Sequence, residues 1–125
     1  MGKRSTVVAA IAVLAAGSAF AHHSFAAFDL QKTVEIEGVL KEVKFSNPHS
    51  WFIVTVTGKD GAAEEWAVEG LSPSGMVAKG IKRSAFKVGD HVQVTLNPMR
   101  AGGLGGSLVS VKLGDGSVVT GGPGQ

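Results

Sequence analysis

Residues 33–45 (TVEIEGVLKEVKF) change phase halfway along, and no other stretch restricts the fold as much. Val34 and Ile36 alternate with Glu35 and Glu37, the period-two pattern of a strand with one face in a core. Beyond Gly38 the apolar set continues at Leu40 and then shifts to Val43 and Phe45. A phase slip beside a glycine is what a β-bulge or a sharp bend produces. The segment therefore reads as one long strand that bends at Gly38 and serves two sheets.

The remaining elements follow from local pattern. Residues 50–57 (SWFIVTVT) are rich in aromatic and β-branched side chains and predict a second strand. Gly58, Lys59, Asp60 and Gly61 supply a turn, and 64–69 (EEWAVE) returns as a third strand. There Trp66 and Val68 share one face, so Glu65 and Glu69 are expected on a solvated one. In LSPSGMVAKG, Ser72 is an N-cap, Pro73 fits the first helical position and Gly80 the C-terminal stop. Leu71 and Met76 stand at the hydrophobic-staple positions of a helix of about two turns. After a turn at 87–90, Val92, Val94 and Leu96 alternate with His91, Gln93 and Thr95. Residues 97–106 read as a flexible glycine-rich loop, 107–113 as a strand, and 117–120 as a short edge segment beyond an Asp115-Gly116 turn. No internal repeat is visible. The order strand, strand, strand, helix, strand, strand predicts a mainly β, five-stranded OB-fold-like Greek-key barrel with one short helix between strands 3 and 4. A split sandwich with a capping helix competes, but only the barrel needs the bend at Gly38.

The start of the chain carries different information. Lys3 and Arg4 precede a short apolar run at 7–16, and Ala19-Phe20-Ala21 has the A-x-A form of a cleavage site. The run is too short to span a bilayer, which takes roughly 20 residues. Residues 1–21 are thus expected to be a signal peptide cleaved after Ala21, giving an exported periplasmic protein with no membrane insertion after cleavage. The expected mature chain has an N-terminal arm at 22–30, the barrel at 31–120 and a disordered tail at 121–125. Of 12 Lys and Arg, two leave with the leader, so 10 basic residues face 10 acidic ones. With export, that balance argues against nucleic acid as a partner. The absence of cysteine removes disulfides, zinc-thiolate sites and thiol chemistry.

The stretches HHSFAAFD, NPHSW, EEWAVEGLSPSGM, FKVGDHVQVTLNPMR and LVSVKLGDG run in order through nearly the whole expected mature chain. In these it resembles an uncharacterised family of small exported bacterial proteins, a domain of unknown function. The resemblance implies export and a β-barrel and supplies no catalytic residues. At the level of fold alone the chain is also similar to periplasmic OB-fold proteins.

Chemistry is concentrated in four histidines. Cleavage after Ala21 makes His22 the first residue, and its free α-amine and Nδ1 then chelate one metal ion. A third nitrogen from another histidine completes a T-shaped histidine brace, a donor set that favours copper. The α-amine titrates near 7.7–8.0 and imidazole near 6.5, so freeing both at neutral pH costs little. His23 points away from His22 in an extended arm, and His91 opens a strand in its outward phase. His49, in the loop SNPHSW where Pro48 restricts Asn47, is the favoured third ligand, with Met99 a softer alternative. The competing reading is a solvated arm anchored through Phe25 and Phe28. The first and last loops flank the usual binding face of such a barrel, which makes Asn47, His49, Trp51, Met99 and Arg100 candidate ligand- or partner-binding residues. For Trp51 and Trp66 core packing is the favoured role. AGGLGGS lacks the lysine and helix of a phosphate loop.

These readings converge on a non-catalytic periplasmic binding or accessory module for a protein partner or small ligand. The alternative is a periplasmic copper-binding protein using His22 with His49. Copper is the one cofactor suggested, and no constellation for hydrolysis or group transfer is recognisable.

Overall fold

Strand β1 (Val34–Lys44) takes two partners in succession in the computed structural model, which describes residues 26–122. Residues 34–39 run antiparallel to β4 (His91–Pro98), with Val34 opposite Leu96 and Val39 opposite His91. Residues 39–44 run antiparallel to β2 (Trp51–Thr57), from Val39 opposite Thr55 to Lys44 opposite Trp51. The register slips between Leu40 and Glu42, so Lys41 is the extra residue of a bulge. The phase change therefore sits three residues beyond the expected bend at Gly38. Gly38 meets a different need. A Cβ built there would lie 2.1 Å from the carbonyl oxygen of Thr55, so β2 crosses where only a hydrogen fits.

β2 returns through β3 (Ala63–Glu69), with Thr57 opposite Ala63 and Trp51 opposite Glu69. β4 pairs antiparallel with β5 (Gly105–Lys112), and β5 closes the ring by pairing parallel to β3 at Ala67–Gly105, Val68–Gly106 and Glu69–Ser107. The result is the expected closed, five-stranded barrel, ordered β1-β2-β3-β5-β4 and back to β1. Closure uses part of the stretch expected to be a flexible loop. Gly105 and Gly106 are strand residues, and Cβ atoms there would meet the carbonyl oxygens of Ala67 at 2.4 Å and Asn97 at 2.1 Å.

Between β3 and β4 lies α1 (Pro73–Ala78), where Gly75 N donates to the Ser72 Oγ cap at 3.1 Å and Gly80 ends the helix at φ +73°. A 3-10 turn, Arg83–Ala85, follows. Leu40, Val54, Val68, Val92 and Leu96 are fully enclosed, and Met76 and Phe86 seal the core, Phe86 lying 5.0 Å from Phe52 ring to ring. Trp66 is half-buried and packs on this core. Trp51 is half-buried and does not join it, so the expected core role fails there: Trp51 stands opposite Glu69, on the face away from Phe52 and Val68.

A sixth strand, β6 (Val118–Thr120), adds to β5. Packing continues past it, with Gly121 and Gly122 buried and Gly121 N donating to the Val109 oxygen, two residues into the segment expected to be a tail. The proposed signal peptide, its cleavage site, His22, His23 and Phe25 lie outside the described residues, as do 123–125.

Replacing Gly38 by alanine forces β1 and β2 apart at their crossing. The Gly38→Ala variant is expected to lose about 1–3 kcal/mol in urea unfolding, whereas Val77→Ala, at a side chain 73% exposed, should change stability by no more than about 0.5 kcal/mol. Equal midpoints for the two would show that the crossing is not tight.

Candidate functional site

The connection from β1 to β2, residues 45–50, is held at both ends of its second half. Ser46 Oγ donates to the His49 oxygen at 2.8 Å. Ser50 N donates to the Leu71 oxygen at 3.0 Å, and Gly70 N donates to the Ser50 oxygen at 2.8 Å. Ser50 is thus tied by its backbone to the chain just after β3 and is fully buried, while Asn47 and Pro48, joined by a cis peptide, are exposed. This anchoring sets His49 over the end of β3.

There His49 Nδ1 contacts Glu69 Oε1, with the two side chains 25% and 6% exposed. The sequence placed Glu69 on a solvated face. The alternation is correct, since Glu69 does point away from Val68, but the end of that face is covered. Glu69 lies opposite Trp51 on one side and Ser107 on the other, and the 45–50 loop closes over it through His49. Burial pushes the Glu69 carboxyl above its ordinary value of 4.5; the His49 charge pulls the other way and is the smaller effect.

The geometry also assigns the imidazole. When Glu69 is ionised its oxygens only accept, so Nδ1, which faces Oε1, is then the donor. In a neutral ring the lone pair then belongs to Nε2, the nitrogen turned away from Glu69. His49 is a partly exposed imidazole oriented by a buried carboxyl.

The other candidates fall elsewhere. His91 Nδ1 is 3.6 Å from Glu37 Oε1, and both side chains are largely exposed, so this pair contributes little. Met99 and Arg100 hold the arm: Phe28 bridges Met99, Asp29 N donates to the Pro98 oxygen at 2.8 Å and Arg100 N to the Ala27 oxygen at 2.9 Å. Phe28 is buried there, while Met99 and Arg100 keep exposed side chains. Of the remaining β3 carboxylates, Glu65 pairs with Lys41, and Glu64 accepts from Trp66 Nε1 at 3.3 Å. Among the described residues no three His, Asp or Glu side chains converge as a metal centre. Sequence reasoning identified His49 and missed Glu69. The available signal was its position as the last β3 residue, before a glycine, in register with the start of the strand that follows NPHS.

Residues 10–108 match a family of unknown function (DUF6152). No curated protein and no solved structure matches the chain.

A buried carboxyl with a raised pKa makes a signed contribution to stability. Its share is full below the unfolded-state value, near 4.5, and is lost as pH rises through the folded value. The Glu69→Gln variant lacks this titration. Thermal melts are expected to show the wild type losing ground relative to Glu69→Gln as pH climbs from 4.5 to neutrality, and a difference in Tm that stays constant over this range would contradict the assignment.

Proposed function

The chain belongs to this family of unknown function, and from that premise we propose that it is an exported, periplasmic, non-catalytic binding module whose ligand-facing group is His49. The pairing of His49 with buried Glu69 carries the reading. Keeping a carboxylate out of water costs free energy, so a buried pair of this kind is weak evidence for stability and orientation is the role we assign it. The purpose offered here is to aim one imidazole nitrogen at a ligand. Asn47 and Trp51 flank it in sequence, and Met99 and Arg100 fix the arm at the last loop. The leader at 1–21 supports export, and periplasmic placement makes a protein partner or small ligand of that compartment the expected occupant.

One observation favours copper as that ligand. In metal sites a ligating histidine commonly donates its second ring N–H to a carboxylate, which fixes the tautomer and raises ligand basicity. Glu69 stands in that relation to His49. Cleavage after Ala21 would add the α-amine and Nδ1 of His22, a three-nitrogen set suited to Cu(II).

Two preparations test both readings. Protein recovered from the periplasm is expected to begin at His22 by mass spectrometry; recovery only from the cytoplasm with the leader intact would overturn the export reading. Protein with an authentic His22 terminus should bind Cu(II) tightly with a distinct EPR spectrum, and protein with one residue added before His22 should not. Equal weak binding by both sinks copper and leaves the module reading standing.

A further inference from the structure

A second surface is built by β6 and by the segment that leads from α1 to β4. Strand β6 has a neighbour on one side only. Leu113 N donates to the Ser117 oxygen and Gly121 N to the Val109 oxygen, so these odd-numbered residues direct their backbone groups at β5. With period-two alternation, the N–H and C=O groups of Val118 and Thr120 face the opposite edge. Among the described residues no backbone or side-chain group bonds to them.

Beside β6 and residues 79–85 lies an open groove of about 600 Å³, lined by Lys79, Ile81, Lys82, Ala85, Val118 and Val119. It shares Gly80, Ile81 and Lys82 with a mainly apolar depression that extends to Val77 and Arg83. Val77 is 73% and Val118 59% exposed, large values for valines on one surface. Neither depression is lined by an acidic residue. Lys79, Lys82 and Arg83 make no ion pair among the described residues, although Arg83 lies over the Phe45 ring at 4.5 Å.

We propose that this surface binds an extended peptide segment of alternating apolar and acidic residues, which adds a strand to the free edge of β6. The reading is independent of the His49 site. Each part of the surface meets one part of such a ligand. The unbonded groups of Val118 and Thr120 pair with its backbone, Ile81, Ala85 and Val119 receive its apolar side chains, and Lys79 and Lys82 face its carboxylates. A second copy of β6 fits less well, because it would bring its own Lys79 and Lys82 to the same seam, where like charges repel. An anionic lipid surface would satisfy the cations and the exposed valines but would leave the edge backbone unpaired.

The test uses uniformly 15N-labelled protein and the probe peptide acetyl-Val-Glu-Val-Glu-Val-amide. Saturable amide shifts are expected at Val118, Thr120, Ile81 and Lys82. Affinity should fall at least tenfold for the Val-Lys counterpart, for the same acidic peptide N-methylated on alternate residues, and for protein carrying Lys79→Glu with Lys82→Glu. The N-methylated probe leaves the protein untouched, so its result is free of any folding defect. The proposal is overturned by an absence of shifts up to millimolar peptide, by shifts confined to another face, or by equal affinity for the N-methylated probe. It is equally overturned if phosphatidylglycerol vesicles bind and the peptide does not, or if sedimentation shows β6-dependent dimers that the peptide leaves intact.

Discussion

To close a ring of five strands in fewer than a hundred residues, backbone must approach backbone more closely than any side chain permits. Three glycines meet that condition. Gly38 lets β2 cross β1 against the Thr55 oxygen, Gly105 sets β5 against Ala67, and Gly106 admits the Asn97 oxygen on the other side of the same strand. The first crossing allows β1 to change partners from β4 to β2, and the bulge at Lys41 completes the turn of direction. Gly105 makes the parallel β3–β5 contact possible and Gly106 the close approach of β4 on the other side, and the β3–β5 contact closes the ring around Leu40, Val54, Val68 and Leu96. A tightly packed interior tolerates little displacement, so these approaches govern the core as well as the topology.

The same closure generates the site. Glu69 is the last residue of β3 and the last rung of the β3–β5 ladder, held between Trp51 and Ser107. The chain turns away at Gly70, whose N–H is taken by Ser50. That bond and the one from Ser50 N to Leu71 fix the β1–β2 loop by its backbone, which leaves His49 no choice but to cover the carboxylate beneath it. Removing either partner would strand the other in a poorly hydrated position, a larger penalty than the pair's net contribution to stability. The arrangement therefore constrains orientation more than it adds stability, and orientation of an imidazole is what a binding site uses.

Much of this was legible in the residues themselves. Strand order, the Ser72 cap with Pro73 and Gly80, and the closed barrel all follow from periodicity and turn chemistry, which are local properties. What escaped is non-local. Alternation along β3 assigns Glu69 correctly to the outward side, but whether that side meets water depends on a loop some twenty residues earlier. Size and apolarity predict a core position for Trp51; its register opposite Glu69 decides otherwise. In AGGLGGS the glycine content suggested flexibility, yet two of those glycines are there because β3 and β4 press against them. A sequence records that a position lacks a side chain without recording which neighbour excludes it. Histidine in a turn is conspicuous, whereas Glu69 resembles its neighbours Glu64 and Glu65 until the strands are paired.

Net charge is a weak guide for a chain of this kind. Without Lys3 and Arg4 the basic and acidic residues balance, so the sum of charges points to no class of partner. Balance is not uniformity, however. Residues 70–89 hold Lys79, Lys82, Arg83 and Lys87 and no acidic residue, whereas β1 carries Glu35, Glu37 and Glu42 together with Lys41 and Lys44. At physiological ionic strength a charge is felt over roughly 8 Å. A ligand at one groove therefore meets the local set of charges, not the sum over the molecule. An even overall balance leaves room for discrimination by sign at each face, and a small barrel with a partly exposed His49–Glu69 pair at one place and a cationic edge at another can present two different chemistries.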